Sequence, residues 1–260
     1  MKLLILDIDD TFFDWLTMWG ESFEALLASL AVRSAVARAD RLATFRQLHM
    51  AARTAERGIT ATDASALGIT VDTAIELAFE HEVNLKARMT PFPCACETLQ
   101  GLVARGVRIV AHTDTPMGIA ADRFVHLGLD GLVEALFAPT SDGVTFFRST
   151  PRVPTRAQAR VVPYSKPDPR CVEFILGCCG VAATDATYLG DSKMKDIPMA
   201  RSSGVRDVFA AYGCRRSSEA YDLLRAVSHW TDEDIARERA LLASEATHSV
   251  PSFEAVLELF

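Results

Sequence analysis

The stretch Lys2-Leu3-Leu4-Ile5-Leu6-Asp7-Ile8-Asp9-Asp10-Thr11 constrains the fold most, because an apolar run stops abruptly in three carboxylates and a hydroxyl. A short run of Leu and Ile with polar bounds suits a strand in the middle of a parallel sheet, where helices cover both faces. Ligands of such sheets bind beyond the carboxyl ends of the strands, which puts Asp7 and Asp9 at the candidate site. In extended backbone, side chains two residues apart leave on one side and repel, unless a cation or a proton intervenes. A metal ion is expected there.

The pattern then becomes helical. Trp15, Leu16, Trp19, Phe23, Leu26, Leu27 and Leu30 recur at three- and four-residue intervals and predict a helix over 15–31. A second helix is expected to fill 34–57, before the break at Gly58, Thr60, Thr62 and Asp63. A third, capped by Thr70 or Asp72, should bury Ala74, Ile75, Ala78, Phe79 and Val83 and stop at Pro91-Phe92-Pro93. Beyond the prolines helices and strands alternate. Leu99, Leu102 and Val103 suggest a helix ended by Gly106, and Val107–His112 a strand. Helices near 116–127 and 168–180 and strands near 136–137, 186–190 and 205–210 extend the series. Repeated βα units imply an α/β fold with a doubly wound, Rossmann-like parallel sheet. Residues 139–165, with a turn at Asp142-Gly143, read as a long loop or hairpin, 215–245 as helical, and 248–251 as the lead into a final short helix.

With 260 residues, 49% of them apolar, the chain can fill one large core, or one core and a small second domain. Its net charge of −7, with Lys and Arg scattered, offers no basic face for a nucleic-acid partner. No apolar run approaches the roughly 18 residues needed to span a bilayer, and the first run reaches Asp7 too soon for a signal peptide. A soluble cytoplasmic protein with no membrane partner is expected. Six cysteines without Cys-x-x-Cys spacing read as free thiols, and the dispersed histidines do not suggest zinc.

Three further polar clusters fall at expected strand ends or in the loops after them: Thr113, Lys166, and Gly190-Asp191-Ser192-Lys193-Met194-Lys195-Asp196. Carboxylates from Asp7, Asp9 and Asp191 are hard oxygen ligands suited to Mg²⁺, and lysine supplies further positive charge. An aspartate beside such a cation can attack phosphorus and form an aspartyl phosphate, with Asp9 shuttling the proton.

These residues closely resemble the haloacid dehalogenase superfamily, whose members share a D-x-D-x-T loop, a Ser/Thr strand end, a Lys and a G-D-x-x-x-x-D loop. All four occur here in that order, and the resemblance covers residues 1–14 and 91–213. It implies Asp7 as nucleophile and Asp9 as general acid/base that also gives its backbone carbonyl to Mg²⁺. Thr113 and Lys166 would hold the phosphoryl group, Asp191 would be the third metal ligand, and Asp196 would support the loop from behind, although a helix N-terminal charge is an equal reading for it. The resemblance further implies a Rossmann-like core of residues 1–14 and 91–260 and an all-helical cap over 15–90. The implied protein is a Mg²⁺-dependent phosphatase acting on a small phosphorylated metabolite. A phosphomutase of the same superfamily and a non-catalytic phosphate-ester-binding protein are the alternatives. A phosphonatase is disfavoured because Lys86 is the only cap lysine and sits at the cap's exit.

Two positions depart from the family pattern. Asp114 stands where Asn is usual, so its side chain either points away or accepts a hydrogen bond from a substrate hydroxyl or amine. His112 replaces an aliphatic residue and is expected to be a packed neutral imidazole. Trp15, Trp19 and Phe23 read as core, with a substrate cavity as the alternative, and Arg148, Arg152, Arg156 and Arg160 read as solvated charge rather than an anion-reading loop.

Overall fold

Leu3–Leu6 form strand β1, with all four side chains at 0% exposure. Leu4 and Leu6 enter one hydrophobic cluster and Leu3 and Ile5 another, so the two-residue period of the strand feeds a core on each face of the sheet. The computed structural model describes residues 2–141, 152–214, 218–242 and 248–260. After β1 come three helices, α1 (Trp15–Arg33), α2 (Arg38–Ala52) and α3 (Val71–Arg88). Strands and helices then alternate: α4 (Ala95–Ala104), β2 (Arg108–His112), α5 (Met117–His126), β3 (Ala135–Ala138), β4 (Gln158–Val161), α6 (Arg170–Cys179), β5 (Ala186–Gly190), α7 (Asp196–Ser202) and β6 (Arg206–Ala210). Two helices, α8 (Ser218–Val227) and α9 (Asp232–Leu242), precede β7 (Ser249–Val250) and a 3₁₀ segment, Glu254–Leu259.

The described strands form one parallel sheet in the order β4-β3-β2-β1-β5-β6-β7. The chain winds outward from β1 to one edge, returns to β5 and winds to the other. That reversal makes the carboxyl ends of β1 and β5 a topological switch point, where such sheets open a crevice. The expected doubly wound sheet and helical insertion are both present.

Local chemistry explains the helix starts. Asp14 caps α1 by accepting from Thr17 N at 2.9 Å, and Thr70 caps α3 by accepting from Thr73 N at 3.1 Å. Along α1, Trp15 stacks on Trp19 with centroids 6.0 Å apart, and Trp19 on Phe23 at 5.0 Å.

Several expectations need correction. The second helix is shorter than 34–57 and ends at Ala52, followed by Arg53 in the left-handed region at φ 53°. Helix α3 buries Ala74, Leu77, His81 and Glu82, while Phe79 and Val83 are 54% and 51% exposed. Packing against α1 rotates the helix away from its most apolar stripe. Residues 158–161 are neither loop nor hairpin but a parallel edge strand, whereas the Asp142-Gly143 turn lies outside the described residues. The helical region after 214 is two helices, and Ser249–Val250 joins the sheet beside β6 instead of leading directly into a helix. Helix α8 lies against α1 and α2. A Cβ at Gly20 would sit 2.6 Å from the Ala220 Cβ, so only glycine permits this approach. The Arg46 guanidinium donates to Arg225 O at 3.2 Å, and His49 Nδ1 lies 2.9 Å from Val227 O.

All six cysteines are free thiols. No helix among the described residues is long and apolar enough to cross a membrane.

Candidate active site

The site begins where β1 ends. Asp7 N donates to Leu189 O at 2.9 Å, which ties the residue to the neighbouring strand β5 and fixes its side chain at the switch point. Thr11 Oγ1 donates to Asp7 Oδ2 at 3.0 Å, while Lys166 Nζ reaches Asp7 Oδ1 at 2.5 Å and Asp196 Oδ1 at 2.8 Å. Asp191 follows β5 directly, and Asp196 opens α7. A Cβ on Gly190 would fall 2.4 Å from Asp196 Oδ2, so the β5 terminus closes on Asp196 only because residue 190 has no side chain.

Carboxylate oxygens of Asp7, Asp191 and Asp196 all lie within 4.8 Å of one another, and the three residues are buried. Burial is the largest influence on the Asp7 carboxyl and pushes its pKa up, helped by Asp196, Asp191 and Asp9 and opposed by Lys166. Burial alone would lower Lys166, but Asp196 and Asp7 outweigh it and raise its pKa. Three buried carboxylates thus cluster, two of them paired with the ammonium of Lys166. A hard divalent cation fits this donor set, since it takes oxygen ligands and offsets the remaining negative charge.

Asp9 stands across the site. Its Oδ1 pairs with the Arg123 guanidinium, and its Oδ2 accepts from Thr115 Oγ1 at 2.9 Å and Thr113 Oγ1 at 3.1 Å. Arg123 also holds Glu56 Oε1 at 2.9 Å, and the same oxygen accepts from Trp15 Nε1 at 2.6 Å. A buried clasp therefore runs from the insertion, through Glu56 and Arg123, to Asp9. Burial first, then Asp9, raises the Glu56 pKa against the opposite pull of Arg123 and Trp15. Arg123, Glu56 and Thr115 escaped the sequence reading. The available signal was Asp122-Arg123 set between Ala121 and Phe124 on an otherwise apolar helix face.

The remaining candidates divide. The Thr113 hydroxyl donates to Asp9 and accepts from Thr115 N at 3.0 Å. Asp114 is bound by Lys195 Nζ at 2.9 Å and by Lys166 N at 3.2 Å, and these lysines lower its pKa although burial alone would raise it. Its charge is thereby answered within the protein. Asp10, the third carboxylate of the first motif, turns away to accept from Leu16 N at 3.0 Å at the start of α1. His112 is buried edge-on to Tyr188, and burial first, then Lys166, drops its pKa to about 3, so it packs as a neutral ring. Its Nδ1 lies 3.0 Å from the Tyr188 hydroxyl, which donates to Asp196 Oδ1 at 3.3 Å.

Trp19 and Phe23 are core, whereas Trp15 lines a cavity of about 570 Å³ together with Asp9, Asp114, Thr115 and Lys195. Arg152 meets His126 at 3.1 Å and Arg160 meets Gln158 at 2.6 Å, as solvated charges would, and Arg148 lies outside the described residues. Lys86 is engaged by Glu82 at 2.9 Å and Asp122 at 3.1 Å.

Parallel strands winding both ways from β1, helices inserted after it and carboxylates at its end define a capped, Rossmann-like α/β protein. Within that class the chain belongs to the haloacid dehalogenase-like hydrolase family, which residues 1–204 match. Phosphoglycolate phosphatase 1 of Pseudomonas aeruginosa is 27% identical over 142 residues, which are 55% of this chain and 44% of that protein. The chain spans less than half the length of the curated relatives it matches. The magnesium-bound structure of YfnB from Bacillus subtilis superposes with a TM-score of 0.59 at 13% identity, covering 99% of this chain and 97% of that one. A 2-haloacid dehalogenase from Pseudomonas syringae pv. Tomato gives 0.56 at 17%, covering 100% and 97%. At these identities the structural likeness is one of fold.

Proposed function

We propose that the chain is a Mg²⁺-dependent phosphatase that hydrolyses a small phosphate monoester through an aspartyl phosphate, with residues 15–90 as its cap. The observation that carries the reading is the convergence of Asp7, Asp191, Asp196 and Lys166 at the switch point, with Asp9 held opposite. The names of the curated relatives, phosphoglycolate phosphatases, support the reaction class.

In this reading the Asp7 and Asp191 carboxylates and the Asp9 backbone carbonyl would hold the ion. Asp196 braces the loop by accepting from Ser192 N at 3.1 Å and pairing with Lys166. When bound, the ion neutralises the carboxylates and draws charge from a phosphoryl oxygen. Thr11 orients the Asp7 carboxylate, and Lys166, with Thr113, holds the phosphoryl oxygens. An Asp7 oxygen attacks phosphorus, the bond from phosphorus to the alcohol oxygen breaks, and Asp9 gives that oxygen its proton. Asp9 then takes a proton from water as the water attacks the aspartyl phosphate at phosphorus, which frees phosphate and restores Asp7.

Phosphate release from a panel of monoesters, with and without Mg²⁺, tests the reading in the parent and in Asp7→Asn. The expected result is Mg²⁺-dependent release that the substitution abolishes in a folded protein. Silence of the parent across the panel would overturn it.

A further inference from the structure

One side of the large cavity lies beyond the family match, which stops at residue 204: Tyr221, Arg225, His229 and Trp230 line it there. They come from α8 and the turn after it. We infer that this arm forms the alcohol-binding side of the site and selects phosphate esters of a flat, ring-bearing alcohol of nucleoside size. The inference rests on the phosphatase reading and specifies its substrate class.

Size is the first argument. The cavity measures about 570 Å³ and reaches Asp9, the residue assigned to protonate the departing alcohol, so the alcohol occupies it. Pockets of about 300–1,000 Å³ enclose ligands of drug size, and a two-carbon acid such as glycolate would leave most of this volume to water. Chemistry is the second. Trp15, Tyr221 and Trp230 give the walls flat aromatic faces, on which a planar ring stacks. The Arg225 guanidinium lies 6.0 Å from the Tyr221 ring centroid, within range of a cation–π contact.

The wall is also built in place. Ala220 sits against Gly20, the Arg46 guanidinium donates to Arg225 O at 3.2 Å, and the His49 ring lies between Val227 O at 2.9 Å and Arg57 O at 3.1 Å, its one N–H donating to one of them. These contacts hold the arm at a fixed distance from Trp15.

Adenosine 5′-monophosphate and ribose 5-phosphate separate the ring from everything else, because they share the phosphate and the sugar and differ in the base. Titrated calorimetrically into Asp7→Asn with Mg²⁺, the nucleotide is expected to bind at least tenfold more tightly than the sugar phosphate. Trp230→Ala in the same background should collapse the ratio, and Trp230→Phe should restore most of it. Equal binding of the two probes, or a ratio indifferent to Trp230, would overturn the inference. Tighter nucleotide binding in a protein whose parent form releases phosphate from no ester would uphold the arm and sink the phosphatase reading, so the two failures are distinct.

Discussion

The floor and the roof of the site are built by opposite means. The floor is a set of short loops leaving parallel strands, and backbone pairing sets their positions: Asp7 is tied to Leu189, and Asp191 continues β5. Its charged side chains answer one another at close range, as Lys166 does with Asp7 and Asp196. The roof is helix on helix, α1 against α3 and α8, with stacked aromatic rings inside. It reaches the floor through the buried Glu56–Arg123–Asp9 clasp. Hydrogen-bonded backbone thus fixes the clustered carboxylates, and side-chain packing between distant elements shapes the cavity above them.

The sharpest way to break this contrast is at the floor. Asp7→Asn should cost roughly 10⁴-fold or more in turnover, as losing a nucleophile does, with the circular dichroism spectrum and melting curve unchanged. Asp9→Asn should cost about 10²–10⁴-fold, the range of a lost general acid–base, and the loss should be steeper for alkyl esters, whose alkoxide needs a proton, than for aryl esters. The clasp comes next. Glu56→Gln and Arg123→Lys should each lose about ten- to a hundredfold, the scale of a small misplacement of a reacting group, again mainly on alkyl esters. An equal loss on both ester types would show that the clasp merely holds the roof and does not position Asp9.

The smallest effect belongs to the roof alone. Asp63 accepts from the Arg57 guanidinium at 2.8 and 2.9 Å and from Thr60 N at 2.8 Å. Burial alone would raise its pKa, but Arg57 and Thr60 bring it below the usual carboxylate range. Its stabilising contribution is therefore full above the unfolded-state pKa and fades as pH falls through the lowered folded value. Melting temperatures of the parent and Asp63→Asn should differ modestly at neutral pH and converge in acid, while their turnover stays alike.

Most of the floor was legible in the sequence because its motifs are short and those of Asp7, Asp9, Asp191 and Asp196 sit just past predictable strands, whereas Lys166 stood out only in company with the other motifs. Asp7, Asp9, Lys166, Asp191 and Asp196 could be picked out without knowing which strands pair. The clasp could not, since Glu56 and Arg123 are separated by 67 residues and are ordinary charges, one in the turn region after α2 and the other on α5. For α3, the apolar positions Phe79 and Val83 outvoted Leu77 and His81 in any periodic reading, and only the presence of α1 decides which stripe is covered. Strand β4 was hidden for a related reason. Its residues Gln158–Val161 are all exposed, and their alternation is only four residues long and set among prolines and arginines, so only the pairing with β3 reveals them.

Helix α8 leans on α1 and α2, yet the strand before it, β6, and the strand after it, β7, both belong to the sheet. The polypeptide therefore returns to the sheet after packing on the inserted helices, so a side chain added at Gly20 would be felt first at the cavity wall, through α8, while the pairing of β6 with β5 and β7 is left to the backbone.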